Sequence, residues 1–306
     1  MKEPIGASPE AARIHRLLLL LVLSLALVTR FYDLSGNPNG FFCDEASYAY
    51  NGYAIMETGR DEYGVPFPFY FRAFGEYKDP FPVYVTIPFL RVFGLTVFAT
   101  RFPVALFGVL SVLFGYLCVR ELAGRRVALI AALFLALSPY HIHFSRIGFP
   151  TPYLHFFFLS GFYLLLRGIR GKGGALVASA VPLGLTLYTY GVAKVFLPLF
   201  LLAFAVVFRR ELLERRRSCL LMGVLLVLIG LPVVHQAVFG VGQDSFRWKS
   251  VFAPHTLTRQ EFVRRLAGIP LLSGAVGHPD LVSWLFFLDN YLWLLRPSTL
   301  FFEGDP

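Results

Sequence analysis

Long apolar runs separated by short basic clusters dominate the chain. Runs at 17–34, 99–120, 127–141, 151–167, 173–189, 192–208 and 218–238 approach the roughly 20 residues that a bilayer requires. Four short basic segments lie between them. They hold Lys2, Arg13 and Arg16; then Arg120, Arg125 and Arg126 in "VRELAGRR"; then Arg167, Arg170 and Lys172 in "RGIRGKGG"; then "RRELLERRR", Arg209 to Arg217. Short basic loops stay on the cytoplasmic side, so successive clusters must be separated by an even number of crossings. That rule predicts about seven transmembrane helices with the N-terminus in the cytoplasm. It leaves out the run 80–95, which begins "PFPVYVTIPFLRVFG" and contains three prolines and Arg91. This run is expected as a helix in the outer interface. The first run also has the layout of a signal peptide, with "SLA" as a cleavage site. Six further runs, and Arg30 placed to snorkel at the outer end, favour a span.

Two large segments fall on the outer side, 35–98 and 239–306, within one predicted transmembrane domain over 1–306. The first holds seven of the 19 acidic residues: Asp44, Glu45, Glu57, Asp61, Glu62, Glu76 and Asp79. The second holds "TRQEFVRRLAG" and "LVSWLFFLDNYLWLL", expected as amphipathic interfacial helices. The chain ends at "FFEGDP" with no closing helix after it, so a longer protein is expected. An ordinary transporter places ionisable groups mid-membrane. Here the spans are nearly free of charge and polar residues collect at one face, which points to surface chemistry on a membrane-bound substrate.

Composition agrees. The chain is 56% hydrophobic and 15% charged, with a mean hydropathy of +0.62. This is an all-α polytopic membrane protein. The net charge of +9 sits in loops that set topology and does not indicate nucleic acid. The three cysteines form no disulfide framework or metal spacing; Cys118 and Cys219 are expected as packing residues, and Cys43 has no partner on its side.

The candidate chemistry begins with Asp44 and Glu45. "DEASYAYNGYAIMETG" reads as a helix with Asp44 as N-cap, Glu45 in the first turn and Gly59 at the end. A carboxylate fixed at a helix start can also serve as a general base. Four cations from separate elements fall at the same depth: Lys78, Arg101, Arg146 and Lys194. Each either snorkels, or together they hold a lipid phosphate. Glu76 and Asp79 flank Lys78, which leaves a divalent metal open, with Glu76 as its candidate ligand. His141 and His143 point to different faces of any helix.

The segments "GFFCDEASYAYNGYAIMETGRDEYG", "GEYKDPFPVYVTIPFLRVFG" and "ATRFPVALFGVLSVLFGYLCVRELAGRR" resemble the GT-C class of membrane glycosyltransferases. The likeness is to glycosyltransferase family 39, the protein mannosyltransferase and lipid A aminoarabinose transferase type. It continues through "SPYHIHFSRIGFPTPYLHFFF", "YTYGVAKVFLPLF" and "NYLWLLRPSTLFFEGD". The resemblance implies that the acidic pair holds the catalytic base, at Asp44 with Glu45 beside it. It implies donor-phosphate contacts at Lys78, Arg101, Arg146 and Lys194, the last being commonly Arg in the family. Asp79 stands where many members have a second proline, and "RIGFPTPYLH" lacks the acidic residue often found there. Some relatives carry a metal near this site. The implied reaction moves a sugar from a polyprenyl-phosphate donor to a hydroxyl of a protein, lipid or glycan. It would run on the outer face of the plasma membrane. Phosphate is a stable leaving group, so one base and a few cations are enough, and direct displacement inverts the anomeric centre. The competing readings are a flippase of lipid-linked glycans, which needs a charged path through the spans, and a non-catalytic protein that binds lipid-linked sugar.

Overall fold

In the computed structural model a helix forms in each of the seven apolar runs. The structure describes residues 9–241, 262–264, 266–267 and 278–294. The chain divides into two compact units, Met1–Val238 and Phe239–Pro306. The first unit runs α1 (Pro9–Phe31), α2 (Cys43–Thr58), β1 (Phe71–Ala73), β2 (Glu76–Lys78), α3 (Pro80–Phe93), α4 (Val97–Ala123), α5 (Arg125–Leu137) and α6 (Pro139–Phe144). It continues with α7 (Thr151–Ile169), α8 (Gly173–Ala178), α9 (Ala180–Thr186), α10 (Ala193–Val207), α11 (Arg209–Glu214) and α12 (Arg216–Phe239). Among the described residues three helices, α1, α4 and α12, are long and apolar enough to cross a membrane by themselves. The run expected as one helix over 173–189 is two short helices that meet at the buried Ser179, whose hydroxyl donates to the Leu176 carbonyl at 2.6 Å. A serine that bonds back to its own turn bends a helix there.

Small residues bring the helices together, as expected where lipid gives no hydrophobic drive for association. On α5, Ala128, Ala132 and Ala136 recur every fourth position and are buried against α1 and α4 beside Val22, Ala26, Val112 and Tyr116. On α7, Gly161 and Gly168 admit the α8–α9 pair. A Cβ at Gly161 would lie 2.5 Å from Leu183 Cγ, and one at Gly168 would lie 2.6 Å from Leu176 Cβ. Leu165, Leu166, Leu197 and Phe204 complete that second core.

Arg30 does not snorkel. It is fully buried and donates to the carbonyls of Ala26, Leu135 and Ala136, with His141 Nδ1 at 2.9 Å. Leu135 and Ala136 lie in the last turn of α5, where carbonyls lack helical partners and carry the negative end of the dipole. A guanidinium there satisfies both needs. His141 is buried and His143 exposed, as their spacing on α6 requires.

The α2–α3 layer carries a third core of Tyr48, Ile55, Phe71 and Val83. Gly52 allows α3 to approach α2, since a Cβ there would meet Thr86 Oγ1 at 2.8 Å. The start of α2 differs from expectation. Phe42 is the N-cap, so Asp44 is the second helical residue and Glu45 the third. A phenyl ring cannot cap, and the Glu45 carboxylate instead accepts the Phe42 N–H at 2.9 Å. The helix ends at Gly59, in the left-handed region at φ 70.

Helix α4 links two charged ends. Near its start, Arg101 pairs with Glu45; near its finish, Glu121 pairs with Arg170 at 2.5 Å and lies within 3.9 Å of Arg167. The two positions are about 30 Å apart at 1.5 Å per residue, close to the hydrocarbon thickness of a bilayer.

In the second unit, α13 (Pro279–Leu294) covers most of the run expected as an interfacial helix. Trp284, Phe287 and Tyr291 are exposed on it at helical spacing, with neighbouring rings 6.1 and 6.2 Å apart. Of "TRQEFVRRLAG", only 262–264 and 266–267 are described, and these are helical; its remainder and the chain end lie outside the described residues.

Candidate active site

The site forms around a hairpin. Phe74 and Gly75 both have positive φ, which a two-residue turn of the kind that matches strand twist requires. The resulting register places Phe71 opposite Lys78. Lys78 therefore leaves the hairpin at its base, where its ammonium reaches Asp44 Oδ1 at 2.9 Å and also contacts the Glu76 carboxylate. Burial alone would push the Lys78 pKa down; the hydrogen bonds to Glu76 and Asp44 outweigh it and raise it. Tyr48, one helical turn beyond Asp44, is buried, and its pKa is held well above the usual phenol value by burial and then by Asp44 and Asp79. It is a neutral wall to the cluster.

The next residue, Asp79, binds Lys194 Nζ at 2.6 Å. Lys194 also lies over the Tyr70 ring, 5.0 Å from its centre. Two lysines and three carboxylates thus meet where α2, the hairpin, α3 and α10 come together. Behind them Phe81 packs edge-on against Phe107, Tyr153 and Phe157, at 5.0 to 5.8 Å.

Glu45 and Arg101 form a separate, fully internal pair. The carboxylate is 0% exposed and meets Arg101 through both oxygens, at 2.7 and 3.0 Å. Its Oε1 also accepts the Gly148 N–H at 2.9 Å. Arg101 donates further to the carbonyls of Leu34, Pro38 and Gly40. Arg146 donates to the carbonyls of Thr29, Tyr32, Asp33 and Asn37. Between them the two arginines fold the α1–α2 connection by gathering its carbonyls. The sequence expectation brought four cations to one phosphate. The structure brings Lys78 and Lys194 to the carboxylate cluster and commits Arg101 and Arg146 to protein acceptors.

The Lys78 ammonium lies between Asp44 and Glu76, and among the described residues no group of three or more His, Cys, Asp or Glu is placed to hold a metal.

Residues 78–235, just over half of the chain, match the profile of the family described as dolichyl-phosphate-mannose-protein mannosyltransferase. The chain belongs to this family. The matched region opens at Lys78 and includes Asp79, Arg101, Arg146 and Lys194. A putative mannosyltransferase, YycA, of Bacillus subtilis (strain 168) is 33% identical over 152 residues, which is 49% of this chain and 22% of that protein. Among solved structures, ArnT from Cupriavidus metallidurans in the apo state has a TM-score of 0.58 at 22% identity, over 80% of this chain and 47% of ArnT. The archaeal oligosaccharyltransferase AglB from Archaeoglobus fulgidus, solved with an inhibitory peptide and a dolichol-phosphate, has a TM-score of 0.58 at 19% identity. That match covers 94% of this chain and 38% of AglB. The fold of this family member is accordingly that of the GT-C membrane enzymes. The chain spans about a fifth of the curated relative and less than half of each structural one.

Asp79, Tyr70, Tyr48 and Gly148 are the site residues to which sequence reasoning gave no role of their own beyond a possible metal contact for Asp79. For Asp79 a signal was present in "KDPFP", as argued below.

Proposed function

We propose that this protein is a glycosyltransferase that moves a sugar from a polyprenyl-phosphate donor to an acceptor hydroxyl, with Asp44 as the base. The observation that carries this reading is the Asp44–Lys78 pair, a partly accessible carboxylate in direct contact with an ammonium at one end of a GT-C bundle. Asp44 Oδ1 faces Lys78, which leaves Oδ2 to take the proton of the acceptor hydroxyl as its oxygen attacks the anomeric carbon. The bond to the phosphate oxygen breaks as the new bond forms. The electron pair leaves on polyprenyl phosphate, and the one Lys78 donor not engaged by Asp44 or Glu76 is available to that anion. Backside attack inverts the anomeric centre, with no second carboxyl of the kind that a retaining glycosidase needs.

The basic clusters gathered around Glu121 support a cytoplasmic position for that end of α4. The Asp44 end then faces the periplasm or cell exterior, in the plasma membrane. The nearly charge-free interior of α1, α4 and α12 speaks against a flippase path. AglB was solved with a dolichol-phosphate, a ligand of the same lipid-phosphate class as the donor proposed here.

The test is transfer of a labelled sugar from polyprenyl phosphate by the purified protein. Asp44→Asn is expected to lose roughly 100- to 10,000-fold in rate while retaining its fold by circular dichroism. A near-normal rate in this variant refutes the assignment.

A further inference from the structure

The sequence "DPFP" frees a carboxylate. Asp79 occupies the N-cap of α3, where an Asp ordinarily accepts the N–H of the second or third helical residue. Here the first and third helical residues are Pro80 and Pro82, which have no N–H. The remaining donor, the Phe81 N–H, is taken by the Tyr188 carbonyl at 3.1 Å. Asp79 makes no cap hydrogen bond, and its buried carboxylate goes to Lys194 instead.

Lys194 has the matching need. It lies in the first turn of α10, where the helix dipole opposes a cation. Its two contacts, Asp79 and Tyr70, directly follow β2 and precede β1. The lysine therefore closes the base of the hairpin that presents Lys78, and the 3.1 Å bond from the Phe81 N–H to the Tyr188 carbonyl fixes the α9–α10 connection to the start of α3.

We infer that Asp79 and Lys194 are a positioning pair that holds Lys78 against Asp44, and that Lys194 is not itself a ligand of the donor phosphate. This rests on the proposed transferase reading.

The test uses the full-length protein in lipid nanodiscs. Asp79→Asn and Lys194→Gln are each expected to lower kcat roughly 10- to 100-fold and to change the donor KM by less than about threefold. The double variant should be no worse than either single one, because both remove the same contact. Lys194→Arg keeps the pair and should restore most of the rate. If Lys194→Gln raises the donor KM at unchanged kcat while Asp79→Asn does not, Lys194 is a phosphate ligand and the inference fails. A second readout does not depend on activity. Modification of Lys78 by an amine-selective reagent, followed by mass spectrometry, should rise several-fold in Asp79→Asn and Lys194→Gln but not in Lys194→Arg. Unchanged Lys78 labelling overturns the positioning role. If labelling responds as expected but the wild type transfers no sugar, the pair stands and the transferase reading falls.

Discussion

Replacing Arg101 with methionine tests whether the Glu45–Arg101 pair is the anchor of the α1–α2 connection. Both side chains are almost completely out of solvent, at 0% for Glu45 and 1% for Arg101. The variant leaves the Glu45 carboxylate with two N–H donors, from Phe42 and Gly148, and no countercharge. Removing one partner of a buried pair costs about 3–5 kcal/mol. The carbonyls of Leu34, Pro38 and Gly40 also lose a donor. Gly40 is exposed and Pro38 half-buried, so water replaces part of that loss, and the total stays near the pair's own value. The assay is equilibrium unfolding in mixed micelles followed by far-ultraviolet circular dichroism. Glu45→Gln in the same background removes the stranded charge and keeps one acceptor oxygen, so the double variant should recover more than about 1 kcal/mol over Arg101→Met alone. A loss below about 1 kcal/mol for Arg101→Met, or purely additive losses in the double variant, would refute the argument. Either result would mean that the pair behaves like an exposed one.

Gly148→Ala places a Cβ 2.9 Å from Glu45 Cγ and 3.5 Å from its Cα; it is expected to cost about 1–3 kcal/mol through overpacking, measured by the same unfolding assay. Lys78 supplies a pH signature. Its folded pKa is raised above the unfolded value, so its contribution to stability is fully present below the unfolded pKa and is lost as pH rises through the folded one. Wild-type stability should therefore fall more steeply than that of Lys78→Gln above about pH 10, and parallel curves would show that the Asp44–Lys78 contact adds nothing to folding.

The apolar runs and the Gly59 stop were legible because local pattern decides them. Helix forms in each of the seven apolar runs, broken into two only at 173–189, and α2 ends at the expected glycine. Arginine at the end of an apolar run was not legible in the same way. Arg30, Arg101 and Arg146 have the sequence context of snorkelling residues, yet all three are buried. What decides their fate is far along the chain: Leu135 and Ala136 for Arg30, Glu45 for Arg101, the 29–37 carbonyls for Arg146. A linear pattern carries no record of such acceptors. The N-cap of α2 failed for a different reason. Residue preference favours Asp44, but the third-position glutamate can satisfy the first N–H while an apolar residue occupies the cap itself. The break at Ser179 was also hidden, because a serine inside an apolar run fits a straight helix as well as a bent one.

Helix geometry explains why two adjacent carboxylates take different tasks. Successive residues of an α-helix point about 100° apart. With α2 laid across the start of α4, Glu45 points into the bundle, where it meets Arg101 and the Gly148 N–H. Asp44 points toward the hairpin and meets Lys78. The inner carboxylate has both oxygens occupied by protein donors and fixes the start of the helix from below. The outer one is left with a free oxygen on a support that cannot swing. Exchanging the two roles would require turning α2 by roughly a quarter turn, which its packing of Tyr48, Ile55 and Gly52 against α3 and the hairpin prevents. The order Asp then Glu is therefore tied to the fold, and Asp44→Glu with Glu45→Asp should lose both the anchor and the reach to Lys78. Lower stability and lower transfer together are the expected result. Retention of either one at wild-type level would separate the two carboxylates from the geometry argued for them.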